Sequence, residues 1–212
     1  MPHTYPLMLD VADRLAVIVG GGSVASRKAA GLIECGATRI RCVSPKFDPA
    51  MPPSVDRVAE RYAASHLDGA GLVFAATDDP VINAAVVRDA RSRGVLVNRA
   101  DADDENPGDF VTPARLNASS VTVTVSAGGS PALAALVRDG IRKNWDARWS
   151  RMADAMQTLR PEVLRNPGVP EPRRRQVFRD LATPEALDVL AAGNLDALRS
   201  WLAARYPELT HG

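Results

Sequence analysis

Five consecutive apolar residues, Leu15-Ala16-Val17-Ile18-Val19, run directly into Gly20-Gly21-Gly22, and few folds accept such a junction. A strand without polar alternation has to be buried on both faces, as in a parallel sheet covered by helices on both sides. After the glycines the period changes. From Ser23 to Cys35 the apolar residues Ala25, Ala29, Leu32 and Ile33 recur at spacings of three and four. Arg27, Lys28 and Glu34 are assigned to the other faces, and Gly36 supplies the helix stop. The segment Gly20-Gly21-Gly22-Ser23-Val24-Ala25 also has the GxGxxA spacing of a dinucleotide-binding turn. There the first glycine permits the bend, and Gly22 lets the backbone approach a pyrophosphate. Ala25 keeps the helix close to the sheet, and the helix N-terminus attracts negative charge. A glycine-rich hexapeptide alone is also compatible with a plain structural turn. Its place between a buried strand and an amphipathic helix is what gives it weight.

The pattern continues. Arg39 to Val43 reads as a second strand closed by Ser44-Pro45, Lys46 to Pro53 as a loop, and a short strand is expected within Val55 to Tyr62. Leu72 to Ala76 reads as a fourth strand ending at Thr77-Asp78-Asp79-Pro80, then a helix over 81–93, then a fifth strand over 95–98. Strands alternating with helices of about a dozen residues specify a parallel α/β sheet of Rossmann type. After Asn98 come an acidic loop with Pro107-Gly108 as its turn signal, and two strands expected over 110–115 and 121–125. Val121, Val123 and Val125 alternate with Thr122 and Thr124, so this pair is expected to form a small separate sheet. Ser130-Pro131 opens a helix to about 144, and the chain from Trp145 onward reads as helices. The expected organisation is a dinucleotide-binding domain over 1–109, a linking and dimerisation segment over 110–144, and a helical C-terminal domain over 145–212.

Composition excludes some functions. A net charge of +1 and an aromatic content of 5% speak against nucleic-acid binding by bulk charge or by base stacking. Arg173-Arg174-Arg175 reads as helix surface, and His3, His66 and His211 have no metal-ligand spacing. Cys35 and Cys42 read as reduced thiols. The first residues show no secretory signal and the apolar runs are too short to span a bilayer, so a cytoplasmic protein is expected.

Several positions carry candidate chemistry. Gly20, Gly22, Ser23 and Val24 would receive the pyrophosphate. Ser44 and Pro45 stand where an acidic residue usually binds the adenosine ribose, and Lys46 is close, so NAD is favoured while NADP stays open. Thr77 and Asp78 end the fourth strand, and Asn98 and Asp101 follow the fifth, where cofactor contacts are expected. Asp101, Asp103, Asp104 and Glu105 form an acidic run whose mutual repulsion would raise some of their pKa values. For all but Asp101 the plain reading is a solvated loop. Ser126 to Pro131, with Gly128, is either a carboxylate-receiving turn or a simple helix cap.

The blocks YPLMLD, VIVGGGSVASRKAAGLIECGA, FAATDDPVINAAV, VLVNRAD and VTVTVSAGGSPALAALVRDGIR, in this order over roughly residues 5–143, resemble the precorrin-2 dehydrogenase family, which includes the N-terminal module of siroheme synthase. The resemblance implies NAD as cofactor, a homodimer, and oxidation of precorrin-2 to sirohydrochlorin on the way to siroheme or cobalamin. It also implies that Asp101 is the essential aspartate acting as general base. A substrate rich in carboxylates calls for cations, and Arg115, Arg138, Arg142 and Lys143 are the candidates, with Ser126 and Gly128 in the glycine-rich turn. The loop after Asp101 is longer than in relatives and the Ser126 turn shorter, with Ala127 where some relatives carry serine. No methyltransferase module is expected. A ferrochelatase activity using the same aspartate stays open, as does a non-catalytic NAD(H)-sensing regulator, which near-neutral charge and the lack of a helix-turn-helix signal disfavour.

Overall fold

The computed structural model describes residues 5–101 and 107–210, so Asp103, Asp104 and Glu105 lie outside the described residues. The chain divides into two compact units, 2–112 and 113–212.

The first unit is a five-stranded, all-parallel sheet with strand order β3-β2-β1-β4-β5. Its strands are β1 (Leu15–Val19), β2 (Arg39–Val43), β3 (Asp56–Val58), β4 (Leu72–Ala75) and β5 (Val97–Arg99). Helix α1 (Ser23–Glu34) joins β1 to β2, and α2 (Pro80–Ser92) joins β4 to β5. Period-two alternation sends each strand's residues to two cores. Ala16, Ile18, Leu72 and Phe74 meet Ala25, Ala29 and Leu32 of α1 on one face. Val17, Val19, Val73, Ala75 and Val97 meet Val86, Val87 and Ala90 of α2 on the other. Every residue of β1 is buried, as its unbroken apolar run requires.

Two expectations about this unit are corrected. The fifth strand lies over 97–99 rather than 95–98. Lys28 is half-buried on the α1 face that meets the sheet, three residues after Ala25 and four before Leu32. Its Nζ donates to Asn98 Oδ1 at 2.6 Å and lies 5.1 Å from the Phe74 ring centroid. Asp109 closes the acidic loop onto β5 and α2. It accepts from Arg91 Nε at 2.9 Å and from the Val97 amide at 3.0 Å, and its own amide donates to Val97 O at 2.7 Å.

The second unit begins with an antiparallel hairpin, β6 (Ala114–Ala118) and β7 (Val121–Val125), joined by Ser119-Ser120. The separate two-stranded sheet is as expected, but its first strand starts four residues later than the 110 read from the sequence. Phe110 instead packs edge-on against Phe74, with ring centroids 5.6 Å apart. Helices α3 (Pro131–Lys143), α4 (Ala147–Arg165), α5 (Glu171–Leu181), α6 (Pro184–Ala192) and α7 (Leu195–Arg205) follow. Ser130, Thr183 and Asn194 cap α3, α6 and α7 through their side chains. A core of Leu159, Val177, Leu181, Leu190, Leu198 and Leu202 holds the last four helices together. The arginine run is absorbed by its own unit. Arg173 pairs with Glu208, Arg175 with Glu171, and Arg174 donates to Val169 O and Asn166 O.

Candidate functional site

In a parallel sheet all strand C-termini share one edge. The strand order 3-2-1-4-5 reverses direction between β1 and β4, the position at which open α/β sheets leave a crevice for ligands. Gly20 to Val24, Ser44-Pro45, Thr77-Asp78 and Asn98 to Asp101 stand at or just beyond the C-terminal ends of β1, β2, β4 and β5.

The three glycines do three different things. Gly20 has φ +129°, and a Cβ there would stand 2.2 Å from Ala76 O. A Cβ on Gly21 would stand 1.9 Å from Lys46 O and 2.6 Å from Ser44 Oγ. These two let the β1 end pass between neighbouring strands, where Gly20 N donates to Val43 O at 2.9 Å and Asp48 N to Gly21 O at 2.7 Å. Gly22 is exposed, with nothing within 4 Å of where its Cβ would be, and caps α1 without any side-chain hydrogen bond. The first turn of α1 holds no acidic residue. The helix start therefore keeps its partial positive charge beside the open Gly22, with no acidic side chain of its own to neutralise it, and an anion with several oxygens fits there. Ser23 and Val24 are exposed beside it, while Ala25 is fully buried against the sheet. Ser44 is half-buried and Pro45 exposed.

The end of β4 is organised by a residue not singled out from the sequence. Asn83 of α2 is fully buried. Its Oδ1 accepts from the Thr77 amide at 3.1 Å and from Thr77 Oγ1 at 2.8 Å, and its Nδ2 donates to Thr77 O at 3.0 Å. Asp78 beside it is exposed. A polar residue on the apolar stripe 83, 86, 87, 90 of α2 was the available signal.

At the end of β5, successive side chains go to opposite faces. Asn98 turns toward α1, where its Oδ1 accepts from Lys28 and its Nδ2 donates to Phe110 O at 2.8 Å. Both ends of this buried amide are therefore engaged within the unit. Arg99 turns the other way, with its side chain 2% exposed, and grips Asp101 with two bonds, Nε–Oδ1 at 2.8 Å and Nη2–Oδ2 at 2.9 Å. Arg99 Nη2 also donates to Pro80 O at 3.2 Å. The Arg99 guanidinium holds the Asp101 carboxyl below the usual carboxylate range, burial opposes this, and the Asn83 amide adds to it as a further donor. The repulsion expected to raise the acidic run's pKa values is thus outweighed at Asp101. Asp101 remains partly exposed.

The remaining candidates belong to the second unit. Ser126 and Gly128 are exposed, and Gly128 and Gly129 have positive φ. Ser130 Oγ accepts from Leu133 N at 3.2 Å and so caps α3. Arg115 is half-buried on β6. Arg138 is bound to Asp139 through Nε and Nη2, and Arg142 shares the same carboxylate, so the trio keeps one net positive charge. Among the described residues no group of three or more His, Cys, Asp and Glu is placed to hold a metal ion.

Residues 7–114 match a family model described as "Putative NAD(P)-binding". The chain is 34% identical over 219 aligned residues to a siroheme synthase of Methylobacillus flagellatus, covering 99% of this chain and 46% of that protein. It is 38% identical over 179 residues to a siroheme synthase of Azotobacter vinelandii, covering 82% of this chain and 38% of that protein. The chain therefore spans less than half the length of these relatives. Among solved structures, that of SirC, precorrin-2 dehydrogenase, superposes with a TM-score of 0.76 at 21% identity, over 95% of this chain and 98% of that one. That likeness is one of fold.

Proposed function

Since this chain belongs to the NAD(P)-binding family matched by residues 7–114, we propose that it binds NAD at the β1 turn and oxidises precorrin-2 to sirohydrochlorin. The observation that carries the reading is Gly22, a bare and open position at the uncapped start of α1, on the same sheet edge as an aspartate held ionised. The siroheme synthases and the precorrin-2 dehydrogenase that this chain is similar to supply the substrate class.

The residues fit the cofactor. The amides after Gly22 would hold the diphosphate, Ser44 and Pro45 would border the adenosine ribose, and Thr77 and Asp78 would border the nicotinamide end. When bound, NAD supplies two-electron acceptor chemistry. As a hydride leaves a saturated carbon of the macrocycle, positive charge develops on the ring, and a proton is lost to complete the oxidation. Asp101, fixed by Arg99, faces that charge as an anion. Because Arg99 lowers its pKa, Asp101 is a weaker base than a free carboxylate, and it acts more as an electrostatic stabiliser of that charge than as a strong base.

The assembly follows from α3. Its Leu133, Leu136 and Val137 are exposed, Leu136 by 69%, and only Ala134 of this amphipathic helix is buried. Such a face is best accounted for by a second copy of the chain, giving a homodimer. The reading places the protein in the cytoplasm, and no helix among the described residues is long and apolar enough to cross a membrane.

The test is spectroscopic. Wild type with NAD and precorrin-2 should yield the sirohydrochlorin spectrum together with NADH, and Asp101→Ala should bind NAD normally yet turn over poorly. Formation of neither product by the wild type would defeat the proposal. Adding Fe²⁺ or Co²⁺ to the same assay decides chelatase competence.

A further inference from the structure

Strand β5 lies at the edge of the five-stranded sheet, so one of its sides meets β4 and the other faces away from the strands. The backbone groups of successive residues alternate between those sides. Leu96 O accepts from Val73 N at 3.0 Å and the Ala100 amide donates to Ala75 O at 2.9 Å, so the N–H and C=O of Val97 and Arg99 face outward. Such an edge has to be covered. Asp109 covers Val97: its amide donates to Val97 O at 2.7 Å, and its Oδ2 accepts from Val97 N at 3.0 Å in place of a strand carbonyl. The other oxygen, Oδ1, accepts from Arg91 Nε at 2.9 Å, and Arg91 Nη2 donates to Pro107 O at 2.7 Å. A carboxylate suits this position because each of its oxygens meets a donor. Between Pro107 and Asp109, Gly108 lies directly on β5, where a Cβ would stand 2.6 Å from Arg99 N and 2.7 Å from Val97 O.

Arg99 is therefore held at two places. Its backbone lies against Gly108, and its side chain grips Asp101 through Nε–Oδ1 and Nη2–Oδ2. The chain that leaves β5 through Asp101 returns at Gly108 onto the same residue. A displacement of Gly108 moves the Arg99 backbone, and a two-pronged guanidinium–carboxylate pair tolerates little change of angle. We propose that Asp109, clamped by Arg91, is a positioning residue: by seating Gly108 on the Arg99 backbone it sets the guanidinium that aims Asp101. The role rests on the reading of Asp101 given above.

The positioning is measurable without any ligand. In the ¹³C-labelled full chain the Asp101 carboxylate is titrated by NMR. Asp109→Asn leaves one oxygen for two donors. Taking away a nearby negative charge would by itself lower the Asp101 midpoint, whereas loosening the Arg99 grip raises it, and a rise of about half a unit to one unit should be seen. Gly108→Ala leaves every charge in place and displaces Arg99 sterically, so it should raise the midpoint as well. Arg91→Lys keeps the charge but loses the planar fork that joins Asp109 to Pro107 O, and should do the same. Arg91 is 43% exposed, so this variant guards against a loss of folding in the other two. In the Arg99→Met background, where the grip is gone, Asp109→Asn should add no further rise. In turnover, kcat should fall about three- to tenfold in step with the shift, while NAD affinity, set at β1, keeps its wild-type value. A midpoint that falls or stays put in any folded member of the set, or a rise from Asp109→Asn that persists without Arg99, overturns the proposal. If the wild type neither takes up NAD nor oxidises precorrin-2, the functional reading falls, while the titrations still decide the positioning.

Discussion

Alanine placed in turn at Gly20, Gly21 and Gly22 should separate folding from binding within three consecutive residues. At Gly21 the new Cβ would lie 1.9 Å from a backbone carbonyl, Lys46 O, which has no flexible end to move away. At Gly20 it would lie 2.2 Å from Ala76 O and adopt φ +129° as well. Overpacking costs about 1–3 kcal/mol and an L-residue at the φ of Gly20 roughly 1–2 kcal/mol more, so Gly21→Ala should lose about 1–3 kcal/mol and Gly20→Ala about 2–5 kcal/mol. Gly22 differs. It has φ −80°, open to any residue, and free space around it. The entropy gained by removing a glycine, about 0.4–1 kcal/mol, is offset by the weaker capping of alanine, so stability should stay within about 0.5 kcal/mol. A methyl group there would still hold a diphosphate away from the α1 amides. Losing one hydrogen bond to a charged group costs about 1.5–3 kcal/mol, or roughly 10- to 150-fold in Kd. Denaturant unfolding and NAD calorimetry on all three variants form the assay. A Gly22→Ala protein as unstable as Gly21→Ala, or one that binds NAD like the wild type, would refute the reasoning. Gly22→Asp adds charge repulsion and should abolish measurable binding.

Further outcomes follow from the charges and faces described above. With Arg99 in place, Asp101 stays ionised below its ordinary 3.8, so kcat/KM should show no acid limb from it near neutrality; Arg99→Met should bring a limb up to between about pH 4 and 6. A limb at the same pH in both proteins would assign it elsewhere. Burial, with repulsion from Arg27, pushes Lys28 from 10.5 down to about 8. Between those values the unfolded chain binds more protons than the folded one, so unfolding free energy should rise with pH across that window and level off above it, and Lys28→Met should flatten the curve. Urea titrations from pH 7 to 11 check this. Leu136→Glu puts a charge on the exposed face of α3 and should shift sedimentation from dimer to monomer without lowering NAD affinity; a wild type that is already monomeric contradicts the assembly.

How much of this was legible depended on whether a feature is local. The limits of β1, β2 and β7 follow from the sequence because an unbroken or strictly alternating pattern ends at turn residues. The limits of β5 did not, because Asn98 and Arg99 look like the end of a strand. Their polarity is satisfied by Lys28, Phe110 O and Asp101, partners that no local window displays. Phe110 likewise left the expected hairpin strand to pack on Phe74, a contact made across the sheet. The state of Asp101 was the costliest omission, yet it had a signal. In an extended chain residues two apart share a face, and Arg99 stands two before Asp101, so repulsion within the acidic run was the wrong neighbour to weigh. Lys28 and Asn83 had a similar mark, each a polar residue on its helix's apolar stripe.

The account stands or falls on whether the helix start after Gly22 receives a dinucleotide. Titrating NAD into the folded wild-type chain in a calorimeter addresses that directly. The account predicts saturable uptake with one site per chain, weakened in Gly22→Ala and preserved in Asp101→Ala. Folded protein that takes up neither NAD nor NADP would contradict it.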